Sequence, residues 1–422
     1  MRKWAVLFMA VITLLALSVS PMMAAEKIKL VMSIHTDFNR EGLDEYIAAY
    51  EKLHPDIEIV KEATPFEDYL KKIQIATVSG RGADIYHVYS LWGVELVKSG
   101  ILDNPPAEVK NDVRKNYVPV AVNGVTINGD IWGIPTEIDN YALVYNKRLL
   151  REAGYSEPPE TWNELVQMAK KMTKFDSKGN IKQYGFTFLA GWESAVVHPF
   201  LAMLWSNGGE FLSPDFKKAL FNSPEGVEAL EAQLRLFKEK GTDVNGSVWD
   251  FPNGNIAMMI MAPWDENNLK TTMGERYADV GVAPIPVMKK PATSLYTWFA
   301  GVGKNSKHKK EAWDFLMWMT SQVQGPNQTT RMGDYLVQRV GAIPSRKIDT
   351  ENHPRELNDQ FTATFVRELK NSIVEPNVAQ GAEIKIILMN EIMAAWYGKK
   401  DAKTALDDAA RQINAILAKY YK

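Results

Sequence analysis

Apolar and polar positions along this chain switch repeatedly between a strand-like and a helix-like spacing. KIKLVMSI (Lys27 to Ile34) reads as a first buried strand. EGLDEYIAAYEKLHP follows, with Leu43, Ile47 and Tyr50 on one helical stripe before Pro55 stops it. IEIVKE predicts a second strand, Phe66 to Val78 an amphipathic helix, and DIYHVYS a third strand after the turn SGRGA. Such alternation with short loops predicts an α/β protein with a parallel sheet covered on both faces.

The same spacing continues toward the C-terminus. PPETWNELVQMAKKMT carries Thr161 and Glu164 at capping-box distance, with Leu165, Met168, Ala169 and Met172 as its buried stripe. SPEGVEALEAQLRLFKEKG predicts a helix capped by Ser223, with Pro224 at its first position and an end at Gly241. HKKEAWDFLMWMTS and DAKTALDDAARQINAILAKYY are two further amphipathic helices. Two apolar stretches, GIPTEID (133–139) and VAPIPV (282–287), carry prolines, which suit a strand crossing between two units better than the centre of either. They are candidate hinges; ordinary edge strands are the alternative.

The N-terminus changes the picture of where the protein works. Arg2 and Lys3, the apolar stretch Trp4 to Leu17 and the small residues Ala24 and Ala25 predict a signal peptide over residues 1–25. Its loss would make the formal net charge of −2 more negative by two, which excludes the basic field of a nucleic-acid-binding surface. With no cysteine, an exported chain has neither a disulfide framework nor a thiol for a lipid anchor. The expectation is a soluble periplasmic protein, monomeric, held together by burial.

Candidate chemistry clusters at the ends of predicted strands. MAPWDENN follows an apolar run and offers Trp264, Asp265, Glu266, Asn267 and Asn268 in one turn. A pyranose has apolar C–H faces and a rim of hydroxyls, so an aromatic plate beside carboxylates and amides is the set a sugar site needs. The competing reading packs Trp264 under a loop and makes Asp265 a helix cap. Other strand ends repeat the theme with His35, Asp37 and Asn39, with Tyr89, Ser90 and Trp92, and with Glu137, Asp139 and Asn140. Trp192, Glu193, Tyr296 and Trp298 extend it. Ligands of open α/β sheets bind beyond the carboxyl ends of the strands. The six histidines are scattered in sequence, without a metal-ligand spacing, so neither a metal nor another cofactor is expected. GVGKNS departs from a phosphate loop at Trp298 and Asn305 and reads as a turn before a helix. There is no Gly-x-Ser-x-Gly elbow and no cysteine nucleophile, so no enzyme of those types is predicted.

GIPTEIDNYALVYNKRLLREAGYSEPPETWNELVQMAKKMT resembles a segment of the extracellular solute-binding proteins of carbohydrate ABC transporters, the maltodextrin-binding-like solute-binding family 1. GNIAMMIMAPWDENN, ADIYHVYSLWGVELVKSGIL, SPEGVEAL and GAIPSRK are similar to further stretches of that family, in order over nearly all of the chain. The resemblance implies the type II periplasmic-binding-protein fold, two α/β lobes joined by hinge strands and closing over a sugar. The expected division is residues 26–136 with 287–320 in lobe 1 and residues 137–286 with 321–422 in lobe 2. It also implies that Trp264 stacks on the sugar and that Glu137 and Asp139 lend acidic contacts; the strand-three aromatic of the relatives aligns with Val88, where Tyr89 or Trp92 could substitute. The implied function is capture of an oligosaccharide and its delivery to the membrane permease of an ABC importer, with no bond broken. Two rivals stay open, a secreted glycoside hydrolase using a carboxylate pair and a protein of the same fold that takes a cationic solute.

Overall fold

The computed structural model describes residues 27–422, so the expected signal peptide lies outside the described residues. The strands that organise the molecule are β1 (Ile28–His35), β2 (Ile57–Thr64), β3 (Ile85–Tyr89), β4 (Ile134–Asn140), β5 (Ala142–Asn146), β6 (Met258–Met261), β7 (Val280–Ala283), β8 (Thr293–Val302), β9 (Ile343–Pro344) and β10 (Ser372–Val374). One seven-stranded sheet runs β9-β4-β8-β3-β1-β2, with β10 pairing the start of β8. A second sheet runs β6-β5-β7. Strands β1, β2 and β3 are parallel, as the alternation predicts, whereas β8 lies antiparallel to both β3 and β4. Each sheet is the floor of one lobe, because all of the residues of β3, β4, β6 and β8 are buried and must be covered on both faces.

The helices that bear on the cleft are α1 (Leu43–Leu53), α2 (Phe66–Val78), α3 (Trp162–Met172), α4 (Glu193–Ser206), α5 (Pro224–Lys238), α6 (Glu266–Met273), α7 (Lys309–Thr320), α8 (Gly381–Trp396) and α9 (Ala402–Tyr420). The start of α3 is a capping box: the Glu164 amide donates to Thr161 Oγ1 at 3.2 Å, and the Thr161 amide donates back to the Glu164 carboxylate at 3.0 Å. Ser223 caps α5 from one side only, its Oγ accepting from the Gly226 amide at 3.4 Å. Helix α4 shows no amphipathic stripe because 13 of its 14 residues are buried, including Pro199 within it.

The chain passes between the sheets at three places. It goes directly from β4 to β5 at Asn140–Ala142, returns into β8, and leaves β10 for α8. The stretch 282–287 expected as a hinge stays in the second lobe: Val282 and Ala283 belong to β7, and Val287 pairs with Thr161. The third passage runs from β10 through Glu375 and Pro376 to α8, a proline-bearing stretch that sequence reasoning did not single out. Residues 329–346 pack on the first lobe: Ile343 pairs with Ile138, Arg346 forms a bidentate ion pair with Asp112 at 2.7 and 3.0 Å, and the Tyr335 hydroxyl donates to the Phe38 carbonyl. We accordingly propose lobe boundaries near Asn140, Thr293 and Glu375, in place of the division at 136, 287 and 320.

Candidate functional site

The carboxyl ends of β1 and β3 and the middles of β4 and β8 meet at one edge of the large sheet. Alternation along β8 puts Tyr296 and Trp298 on the same face, and Trp298 pairs with Tyr89 across the ladder. The Trp298 indole stacks on His35 (ring centroids 4.1 Å apart, planes 23° apart) and on His87 (4.9 Å, 9°), with Tyr89 at 5.3 Å and Trp92 at 5.8 Å. Phe66, at the start of α2, closes the cluster against Trp92. The second lobe reaches into it through MAPWDENN. β6 ends at Met261, Pro263–Asp265 form a single 3-10 turn, and Trp264 Nε1 donates to the Tyr296 hydroxyl at 2.8 Å. Trp192 and Trp249 flank Trp264 at 6.5 and 6.3 Å.

An irregularity in β4 aims its polar side chains. Thr297 pairs with Ile138 but Phe299 pairs with Pro135, so two residues of β4 face one of β8. This bulge lets adjacent residues approach the same ring: His87 Nε2 lies 3.0 Å from Thr136 Oγ1 and 3.3 Å from Glu137 Oε2. Among the described residues, no lysine or arginine pairs with Glu137 or Asp139. Burial pushes the Glu137 carboxyl up to about 8. It pushes Asp139 well above the usual carboxylate range, with Glu137 adding to the effect. Burial also holds His87 down to about 3, and lowers His35 with help from His87 and Arg40. At neutral pH this wall is therefore uncharged, built from aromatic faces, neutral imidazoles and protonated carboxyls.

A second polar group sits where β10 leads into α8. Lys385 Nζ lies 2.8 Å from Glu375, 2.7 Å from Ser194 Oγ, 2.9 Å from His198 Nε2 and 3.1 Å from the Tyr89 hydroxyl. Lys385 and Glu375 are both 1% exposed. Burial alone would raise Glu375, but Lys385 and His198 outweigh it and hold the carboxylate well below its usual range. Because Tyr89 lies in the first lobe while Ser194, His198 and Lys385 lie on α4 and α8, the network ties the lobes together behind the aromatic cluster.

The structure thus gathers His35, Tyr89, Trp92, Glu137, Asp139, Tyr296, Trp298, Trp264 and Trp192 into one cluster where the lobes meet. Asp265 is adjacent and buried, accepts from the Asn268 amide at 3.0 Å, makes no side-chain cap for α6, and has its carboxyl pushed by burial up to about 6. Two candidates fall outside. Asp37 is exposed and pairs with Arg40 at 3.4 Å. Asn140 points from the other face of β4, where its amide donates to Phe365 O and Ser372 Oγ, both at 3.0 Å, because odd and even residues of a strand part company. Sequence reasoning missed His87, Trp249, Glu375 and Lys385. Trp249, exposed in the Pro/Gly-rich turn WDFPNGN, carried a readable signal; the others look like ordinary core or surface positions.

Residues 39–325 match the family described as bacterial extracellular solute-binding protein. A putative binding protein of Brucella abortus (strain 2308) is 25% identical over 427 residues, covering 99% of this chain and 99% of its own. The maltotriose-binding protein of Pyrococcus abyssi is 24% identical over 390 residues, covering 89% of this chain and 76% of its own. An ABC transporter solute-binding protein from Thermotoga lettingae, solved bound with α-D-tagatose, aligns with a TM-score of 0.80 at 24% identity, covering 92% of this chain and 99% of that one. The two-lobed fold and the match over most of its length agree: this chain belongs to the bacterial extracellular solute-binding protein family.

Proposed function

We propose that the protein binds a sugar, an oligosaccharide in particular, between its lobes and hands it to the permease subunits of an ABC importer in the cell envelope, working in the periplasm. The observation that carries this reading is the convergence of Trp264 from one lobe with Tyr296 and Trp298 from the other, beside buried carboxyls that have no cationic partner among the described residues. Indole faces match the C–H faces of a pyranose, and neutral carboxyls and imidazoles both donate to and accept from its hydroxyls. Such a wall suits an uncharged polyol; a free anion would find no basic group there. The relatives that bind maltotriose and tagatose support the same class of ligand. Among the described residues no helix is long and apolar enough to cross a membrane, in keeping with a carrier that meets its permease from outside.

Contacts to both lobes at once favour the closed arrangement by their difference in free energy between the two states, and that arrangement is what the permease would read. A thermal-shift screen of mono- and oligosaccharides tests the proposal, since a ligand of the native state must raise its melting temperature. Stabilisation by one saccharide series without release of reducing ends is expected. No shift with any saccharide, or steady hydrolysis of the stabilising one, would overturn it. Stacking on an aromatic face is worth about 1–3 kcal/mol per ring, so Trp264→Ala is expected to weaken the best ligand of that screen about tenfold or more by calorimetry.

A further inference from the structure

His35 and His87 stand 52 positions apart and a further 50 separate His87 from Glu137, yet one ring nitrogen of each imidazole and a carboxylate oxygen of Glu137 all lie within 4.8 Å of one another. Both imidazoles are buried, 7% and 1% exposed. Their ring faces are covered: Trp298 lies on His35 at 4.1 Å between centroids, and Phe38 on His87 at 3.8 Å. The plane of the rings, where the nitrogen lone pairs point, is buried as well but poor in polar partners. Both nitrogens of His35 and Nδ1 of His87 have no hydrogen-bond partner. Buried polar atoms without partners each cost on the order of 1–3 kcal/mol, and three of them side by side call for an occupant.

The geometry points to a site for one divalent transition-metal cation of the zinc type, held by His35, His87 and Glu137. Two imidazoles and one carboxylate are a set that borderline-soft divalent ions accept, and three protein ligands leave a fourth coordination position for water. A tetrahedral ion with bonds of about 2.0–2.2 Å would draw the three groups closer together than they now stand. Glu137 and Asp139, two residues apart on one face of β4, are buried with no lysine or arginine paired to them among the described residues, so no protein cation competes for the site. The inference does not depend on the carbohydrate reading.

Calorimetric titration of the EDTA-treated, untagged full-length secreted protein with zinc chloride tests it, alongside cobalt(II) chloride, whose visible absorption reports tetrahedral binding. One ion per chain is expected. His35→Ala, His87→Gln and Glu137→Gln should each weaken binding about 100-fold or more, since even outer partners of a ligand change affinity about 10–100-fold. His308→Ala, outside the cluster, should leave it intact. Circular dichroism establishes that each variant is folded, and the volume-conserving His87→Gln serves if His35→Ala does not fold. Absence of stoichiometric binding, or binding unchanged in folded His87→Gln and Glu137→Gln, would overturn the site. Saccharide stabilisation measured in EDTA separates the two readings: its persistence without zinc binding would sink the metal site and spare the carbohydrate one.

Discussion

At the scale of single residues, Trp298 and Trp264 look alike in sequence and do different work. Trp298 is 6% exposed and is enclosed by His35, His87, Tyr89 and Trp92, so it is the post on which the site is built. Trp298→Ala should cost about 3–5 kcal/mol of stability, the range for removing a buried aromatic ring, measured by urea denaturation at unchanged slope. Trp264 is only partly buried and hangs from one hydrogen bond to Tyr296. Its removal should therefore spare stability while weakening ligand. A result with the two effects exchanged would mean that the gap opens on the other side of the cluster.

Elements are held by local chemistry that can be tested one at a time. Thr161→Ala breaks the reciprocal cap of α3 and should destabilise by about 1 kcal/mol, read as a lower urea midpoint. A second device joins the short helices Arg331–Tyr335 and Lys347–Asn352, where His353 Nε2 lies 3.0 Å from Asp334 and Nδ1 lies 2.7 Å from the Asp349 carbonyl. Burial alone would lower His353, but Asp334 and Asp349 outweigh it and raise its pKa above 6.5. Burial likewise would raise Asp334, yet its bonds to His353 and Thr329 hold it below 3.8. The His353 contribution is thus fully present below pH 6.5 and is lost as pH rises through the raised value. That of Asp334 is present above pH 3.8 and is lost as pH falls through the lowered one. The melting temperature should accordingly drop between pH 6 and pH 8.5 more steeply in the wild type than in His353→Gln. Equal slopes would show that the pair does not couple to folding.

The molecule as a whole depends on how three chain passages bring two lobes into register. Behind the aromatic cluster, the buried network of Lys385, Glu375, His198, Ser194 and Tyr89 spans the join. Lys385→Met leaves Glu375 buried without its cation, and should cost about 3–5 kcal/mol, as other broken buried pairs do. Adding Glu375→Gln should recover part of that loss, because the orphaned charge goes with it. A double-mutant cycle in which the two losses simply add would mean that the pair contributes no coupling. Gly381 makes the same point sterically: a Cβ there would stand 2.7 Å from Leu91 Cδ1 and 3.0 Å from the Leu91 carbonyl, so α8 meets the first lobe closely only because the residue is glycine.

Much was legible before any tertiary contact was known. The order of strands and helices, the caps at Thr161 and Ser223, and the turn that ends β6 at MAPWDENN follow from spacing and capping chemistry, which act within a few residues. The aromatic and acidic character of the strand ends was equally visible. Three things were not. The proline-bearing 282–287 stayed inside a lobe while the proline-bearing stretch after β10, at Pro376, made a passage, because what defines a crossing is the sheet that each end joins. Helix α4 has no polar face to reveal its period. His35, His87 and Glu137 share no linear spacing, and Asn140 turned away from the cluster that Asp139 faces. Local periodicity was set by the sequence, since it needs only neighbours along the chain. The company each side chain keeps was decided by the tertiary structure, since strand pairing, bulge and burial join residues that are a hundred positions apart.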